Sequence, residues 1–295
     1  MRLRSDRVAQ LRAVGLDPDT VLGVVVRALD EDLAGGADVT SAATIPAEQV
    51  DLADVVARAE GVVAGLPVAA AVFDVAGAGT VRTTTVVADG SRVRVGEVLL
   101  TATGPTRALL TAERTALNLL GRLSGIATVT RAWVDAIAGT GVEVRDTRKT
   151  TPGLRALEKY AVRCGGGVNH RFSLSDAALV KDNHVLAAGG VVAAFELVRA
   201  AYPDLPVEVE ADSVNDAVAA VEAGADLVLL DNMGLEQLRE AVLRVARRAR
   251  LEASGGLRLA AARAVAETGV DYLAVGALTH SAPALDIGCD LRVRS

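Results

Sequence analysis

The sequence predicts an α/β chain in two domains, an incomplete, open, about six-stranded parallel β/α barrel preceded by an N-terminal α/β sandwich. Three observations carry this. From Ile126 onward, short β-rich runs alternate with helical stretches. Each run enters on apolar residues and leaves on a charged residue or a glycine. Ahead of Thr106 the pattern is different: runs such as TVRTTTVVADG and SRVRVGEVLLTATG alternate in polarity and carry glycine turns, as antiparallel strands do.

Taken in order, DTVLGVVVRALDEDLAG reads as a helix, and in the GGADVTSAATIP segment Asp38 and Thr40 read as turn and cap residues. The alternating runs follow. A long apolar helix is expected from about Thr106 to Ala138, slackened at Gly121 and Gly125. The barrel strands are then VEVRDT from Val142, AALVKDN from Ala177, PVEVEA from Pro206, ADLVLLDN from Ala225, RLEAS from Arg250 and VDYLAVGA from Val270. Amphipathic stretches such as SVNDAVAAVEAGA and LEQLREAVLRVARRA lie between them. Strand–helix alternation with short links means a parallel sheet with helical crossovers, and six repeats without a switch in pattern favour a barrel over a doubly wound sheet. The expected boundaries are 1–125 for the sandwich, joined by the tail 281–295, and 126–280 for the barrel.

Composition narrows the function. Of 295 residues, 51% are hydrophobic but only 2% aromatic, and the net charge is −6. Binding of nucleic acid needs stacking aromatics or a basic surplus, so it is not expected. No apolar run approaches the roughly 18 residues of a membrane helix, and MRLRSDRVAQLRAVGLD has no apolar core of a signal peptide. Two cysteines are too few for a disulfide framework, so the cytosol is the expected compartment. Only three basic residues are lysines, Lys149, Lys159 and Lys181. Genome composition accounts for such a bias, yet a surviving lysine can also mark a need for a compact point charge.

In a parallel barrel the chemistry sits at the C-terminal strand ends and the loops after them. Those ends offer Arg145, Asp146, Arg148 and Lys149, then Lys181, Asp182, Asn183 and His184, then Glu210, Asp231 and Asn232. The last two ends offer Ser254, Gly255 and Gly256, followed by Gly276 and His280, and GGGVNHR adds Asn169, His170 and Arg171. This is a ring of cations and glycines with carboxylates set into it. Glycines after the last strands suit a phosphate cradle, because backbone N–H groups can approach phosphate oxygens where no Cβ intervenes. Plainer readings stand beside this one. Glu208 and Glu210 share a strand face, so one can simply neutralise an interior arginine. Asp231 and Lys181 can form a structural ion pair. His184 and His280 read as donors supporting other residues, Cys164 as a small buried residue, and Arg122, Arg131, Arg155 and Arg163 as solvated faces. The His and Cys spacings do not make a metal site.

The motifs RDTRKTTPG, GGGVNHR, LVKDNH, EVEADS, LLDNM, EASGG and DYLAVGALTHS, in this order, closely resemble the quinolinate phosphoribosyltransferase family. The likeness runs from about Glu31 to Asp290. It implies a dimer with shared active sites that makes nicotinate mononucleotide, pyrophosphate and CO2 from quinolinate and phosphoribosyl pyrophosphate, toward NAD. It also implies that Arg114 of AERTALN reaches a substrate carboxylate of the neighbouring subunit. By the same likeness Arg148, His170, Arg171 and Lys181 hold quinolinate and adjoining phosphates, with Lys149 near the pyrophosphate. Lys149, Lys181, Glu210 and Asp231 form the implied catalytic set. Glu210 and Asp231 would face the ribose and a magnesium ion carried by the substrate. Ser254, Gly255, Gly256 and Gly276 would cradle the 5-phosphate, with His280 close by. Three rival readings stay open: a transferase for nicotinate or another planar acid, a lyase with Lys181 as Schiff base, and a non-catalytic binding module.

Overall fold

The computed structural model describes residues 2–292 and divides into two compact units. The first comprises Met1–Val129, Thr150–Gly166 and Thr279–Ser295, and the second Thr130–Lys149 and Gly167–Leu278. The segment 150–166 therefore groups with the first unit, although sequence periodicity assigned it to the barrel. Residues 293–295 of the tail lie outside the described residues.

In the first unit, helices α1 (Ser5–Ala13), α2 (Pro18–Leu33) and α3 (Val39–Thr44) precede strand β1 (Val50–Ala57). Asp17 caps α2 by accepting from Thr20 N at 2.9 Å, and Asp38 caps α3 by accepting from Ser41 N at 2.9 Å. Strand β2 (Gly61–Val62), helix α4 (Leu66–Ala76) and strands β3 (Arg82–Thr85), β4 (Arg92–Val93) and β5 (Val98–Pro105) follow. The main sheet is antiparallel, with β1 between β5 and the C-terminal strand Ile287–Arg292, and β3 beyond β5.

The central strand β1 escapes a reading by alternation because two aspartates interrupt its apolar run. Both are buried and both have partners. Asp51 accepts from Gln49 Nε2 at 2.6 Å and Thr106 Oγ1 at 2.7 Å, and Asp54 accepts from Thr101 Oγ1 at 3.0 Å and pairs with Arg292 at 2.7 Å. Helix α5 (Thr106–Ala136) runs unbroken. Its glycines do not slacken it; they admit backbone. A Cβ on Gly125 would stand 1.9 Å from Pro283 O, and one on Gly121 would stand 2.9 Å from Leu285 O. Arg122 is no solvated face either. From α5 it pairs at 2.9 Å with Glu158, a fully buried residue of α6 (Arg155–Cys164).

The second unit holds six parallel strands: β6 (Glu143–Arg145), β7 (Ala178–Val180), β8 (Val207–Ala211), β9 (Leu227–Asp231), β10 (Arg250–Ser254) and β11 (Tyr272–Ala274). Their order is β6-β11-β10-β9-β8-β7, and the two end strands do not pair, so the barrel is open. Helices α7 (Asp182–Ala188), α8 (Val191–Ala201), α9 (Val214–Glu222), α10 (Leu235–Val245) and α11 (Ala262–Ala266) lie in the crossovers. No single helix among the described residues is long and apolar enough to cross a membrane.

The pleat separates two faces. Val209, Val228, Leu230, Leu251, Ala253 and Leu273 are buried on the helix-facing side. Their neighbours by period two are Glu208 and Glu210 on β8, Leu229 and Asp231 on β9, and Glu252 and Ser254 on β10. The register sets Glu210 beside Leu229, Leu229 beside Glu252 and Asp231 beside Ser254. The barrel interior is therefore charged, and its outer face supplies the apolar core.

Candidate active site

A cavity of about 510 Å³ opens at the C-terminal ends of these strands. Of the residues singled out in the sequence, Arg148, Lys149, His170, Arg171, Lys181, Glu210, Asp231 and Ser254 line it. Gly255 and Gly256 continue the turn after Ser254, and Gly276 follows β11. Arg114 and His280 belong to the first unit, and both are exposed.

Three local devices hold the lining in place. At the end of β6, the buried Asp146 accepts from His170 N at 2.8 Å and from Asn169 Nδ2 at 2.5 Å, tying the His170 loop to the strand. After β7, His184 Nδ1 accepts from Lys181 N at 3.0 Å. His184 thus fixes the Lys181 backbone as an acceptor at Nδ1, which leaves the ring proton on Nε2 free to donate. After β9, Asn232 sits at φ 54 and donates from Nδ2 to Asp231 Oδ2 at 2.6 Å. Its backbone N donates to Ser254 O at 3.0 Å, which links the ends of β9 and β10.

Lys181 pairs with Glu210, so the ion pair at this strand end joins β7 to β8. Asp231 stands beside them with its carboxyl raised above the ordinary range, by burial first and then by the charge of Glu210, with Lys181 opposing. Asp212 adds to the same repulsion. Glu210 and Asp231 thus crowd about the Lys181 ammonium, an oxygen-rich and electronegative edge whose donors fit a hard divalent cation. Burial, and the neighbouring Arg148 guanidinium, draw the Arg171 guanidinium down.

Deeper in the barrel lies a cluster that the sequence did not reveal. His170 Nε2 is 2.6 Å from Glu208 Oε2 and 3.8 Å from Glu252 Oε1. Its Nδ1 accepts from Arg171 N at 2.8 Å, which places the ring proton on Nε2, donated to Glu208. Arg145 Nη1 pairs with Glu252 Oε2 at 2.6 Å. The interior arginine therefore pairs directly with Glu252, while Glu208 of β8 acts on it by charge alone. Glu208 Oε1 and Glu252 Oε1 are buried without a hydrogen-bond partner. Burial, reinforced by the charge of Glu208 and opposed by Arg145, pushes the Glu252 carboxyl up to about 7. One donor atom each from His170, Glu208 and Glu252 lies within 4.8 Å of the others. The guanidinium of Arg145 already supplies positive charge there. The cavity lining counts four cations (Arg148, Lys149, Arg171, Lys181) and four carboxyl groups (Asp182, Glu210, Asp231, Glu252), so protonation of Glu252 tips the balance positive.

Comparison with known proteins places this geometry. The model of the quinolinate phosphoribosyl transferase C-terminal domain matches residues 126–290, and that of the N-terminal domain matches 38–124. The carboxylating nicotinate-nucleotide pyrophosphorylase of Mycobacterium leprae (strain TN) is 55% identical over 277 residues, covering 92% of this chain and 98% of the relative. Its Homo sapiens counterpart is 40% identical over 289 residues, covering 95% and 94%. The crystal structure of NadC from Streptococcus pyogenes superposes with a TM-score of 0.90 at 41% identity, covering 95% of this chain and 99% of that one.

Proposed function

The chain belongs to the quinolinate phosphoribosyltransferase family, and we infer that its barrel transfers the phosphoribosyl group of phosphoribosyl pyrophosphate to quinolinate with loss of CO2. The products are nicotinate mononucleotide, pyrophosphate and CO2, a step of NAD biosynthesis. The observation that carries the reading is a single cavity lined by Arg148, Lys149, Arg171 and Lys181 facing Glu210 and Asp231. A pyridine dicarboxylate and a pyrophosphorylated sugar together demand such a mixture.

Arg148 and Arg171 suit the carboxylates, because a guanidinium grips a carboxylate through two parallel N–H bonds. Lys149 and Lys181 act as point charges on phosphate. Glu210 and Asp231 face the ribose, where their charge stabilises the positive character that develops at the anomeric carbon as pyrophosphate departs. The crowded carboxylates of Glu210 and Asp231 would lie beside a magnesium ion, which when bound would supply charge neutralisation for the departing pyrophosphate. Ser254, Gly255, Gly256 and Gly276 cradle the 5-phosphate. Bond formation at the ring nitrogen makes a pyridinium, and this electron sink lets the adjacent carboxylate leave as CO2.

The working unit is a homodimer with shared sites. Arg114 is exposed on α5 and does not line the cavity of the second unit, which supports its service to a partner's substrate carboxylate. Cys164 and Cys289 are free, which suits the cytosol.

Specificity tests the reading. If nicotinate takes the site, an arginine meant for the second carboxylate lies desolvated and unpartnered, at a cost on the order of 3–5 kcal/mol, or a hundredfold or more in affinity. Wild type should show kcat/KM for quinolinate at least that much above nicotinate, and Arg171→Leu should narrow the gap. Comparable wild-type values for the two acids would overturn the assignment in favour of a nicotinate transferase.

A further inference from the structure

Loss of CO2 from the pyridinium leaves an electron pair on C2, and a proton must replace the carboxylate. On the rim, Lys149, Lys181, Arg148 and Arg171 are engaged by the phosphates and carboxylates they bind, and Asp231, whose carboxyl is also raised, faces the ribose. The floor differs. Glu252 lines the cavity, is fully buried, and carries one oxygen in the Arg145 pair and the other, Oε1, without a hydrogen-bond partner, 3.8 Å from His170 Nε2. A charged carboxylate oxygen buried without a partner is costly, and a proton on it removes the cost. Glu208, also buried, has an unpartnered Oε1 as well, and both carboxylates converge on His170 Nε2. Two buried carboxylates with oxygens within 4.8 Å oppose each other's charge, so the protonated form of one is favoured.

We propose that Glu252, kept protonated beside the like charge of Glu208, is the acid that protonates C2 after decarboxylation, a role that rests on quinolinate being the substrate. The C2–carboxylate bond breaks and its electron pair stays on C2 beside the cationic ring nitrogen. The Glu252 proton moves to C2, a C2–H bond forms, and Glu252 remains as a carboxylate against Arg145. Solvent returns the proton before the next turnover. Glu208 and Arg145 are positioning residues: the first favours the protonated acid, and the second stabilises the anion it becomes. The raised carboxyl of Glu252 agrees with this arrangement. The groups facing it are Glu208 from β8, Arg145 from β6, His170 from the loop ahead of β7, and Tyr272 from β11, whose ring lies under Arg145 at 4.7 Å. Strand β9 offers only Leu229.

The test is the pH dependence of kcat with quinolinate, phosphoribosyl pyrophosphate and Mg2+ for wild type, Glu252→Gln and Glu208→Gln, alongside quinolinate binding. A required acid gives a wild-type kcat that is full below about pH 7 and falls up to tenfold per unit above it. Glu252→Gln should lose about a hundredfold or more in kcat and the alkaline limb with it, while its quinolinate Kd stays within about threefold of wild type. Glu208→Gln removes the like charge, so the limb should persist and move to lower pH. A Glu252→Gln protein that keeps the limb, or loses less than tenfold in kcat, overturns the proposal. If that variant does not fold, an unmoved limb in Glu208→Gln overturns it equally. A wild type that makes no nicotinate mononucleotide at any pH refutes the substrate reading itself, a result distinct from both.

Discussion

Gly255 and Gly256 give the sharpest test of the phosphate-side geometry, because they differ in one respect only. Both occupy the left-handed region, at φ +88 and +60, where any side chain is strained by about 1–2 kcal/mol. Gly256 has open space where a Cβ would go. At Gly255 that Cβ would stand 2.2 Å from Asn232 Oδ1 and 2.7 Å from Asn232 backbone N. Rotating the Asn232 side chain relieves the first overlap but not the second, so the backbone after β9 must move. Asn232 holds Asp231 through the 2.6 Å Nδ2–Oδ2 bond, and a displacement of roughly 1 Å at a reacting group costs about a hundredfold in rate. Gly256→Ala should therefore lose about 1–2 kcal/mol of stability, and its Cβ in the 5-phosphate cradle should lower kcat/KM for phosphoribosyl pyrophosphate through KM, with kcat kept within a few-fold. Gly255→Ala should lose on the order of 3 kcal/mol and about a hundredfold in kcat. Urea denaturation and initial rates measure both quantities. Equal losses of kcat in the two variants would refute the argument that backbone packing against Asn232 sets the position of Asp231.

Lys181 acts by charge, so Lys181→Arg should retain measurable phosphoribosyl pyrophosphate binding while Lys181→Met loses it; borohydride trapping of a substrate on Lys181 would favour the lyase instead. Arg114→Ala and Lys149→Ala, each nearly inactive alone, should regain part of their activity when co-assembled, since a mixed dimer rebuilds one intact site. Heterodimers without recovery would return Arg114 to its own subunit. In the first unit, burial holds the Asp89 carboxyl above the ordinary range, against hydrogen bonds from Tyr160 Oη and the backbone N–H groups of Gly65 and Leu66. Folding therefore tightens that proton. Its contribution is complete below the unfolded value of roughly 4 and is lost as pH rises through the raised folded value, by up to about 1.4 kcal/mol per unit. The stability of wild type relative to Asp89→Asn should accordingly fall as pH rises from about 4 through the raised folded value, and a pH-independent difference in urea melts would contradict this.

Much of the rim was legible because strand ends in a parallel barrel are where the apolar run stops, and the sequence shows where each run stops. Lys181, Glu210, Asp231 and Ser254 are readable in this way. What a linear pattern does not encode is which side chains meet across the barrel. Glu208 and Glu210 share a face by period two, but pairing of Arg145 with Glu252, across β11, depends on sheet order. The same holds for His170, whose carboxylate partner lies 38 positions away. In the first unit, β1 is hidden because Asp51 and Asp54 break its apolar run, and their partners come from α5, β5 and the C-terminal strand. Arg122 looked like a surface residue for a similar reason. A charged position on a helix cannot announce that a buried glutamate awaits it.

The account's central claim is that glycosyl transfer and loss of one carboxylate occur in the same site on the same substrate. The direct measurement follows quinolinate labelled in its C2 carboxylate through the reaction of purified protein with phosphoribosyl pyrophosphate and Mg2+. Labelled CO2, pyrophosphate and nicotinate mononucleotide should appear in equal amounts, and CO2 should not appear when phosphoribosyl pyrophosphate is withheld. Pyrophosphate released without labelled CO2, or a nucleotide product that keeps both carboxylates, would contradict it.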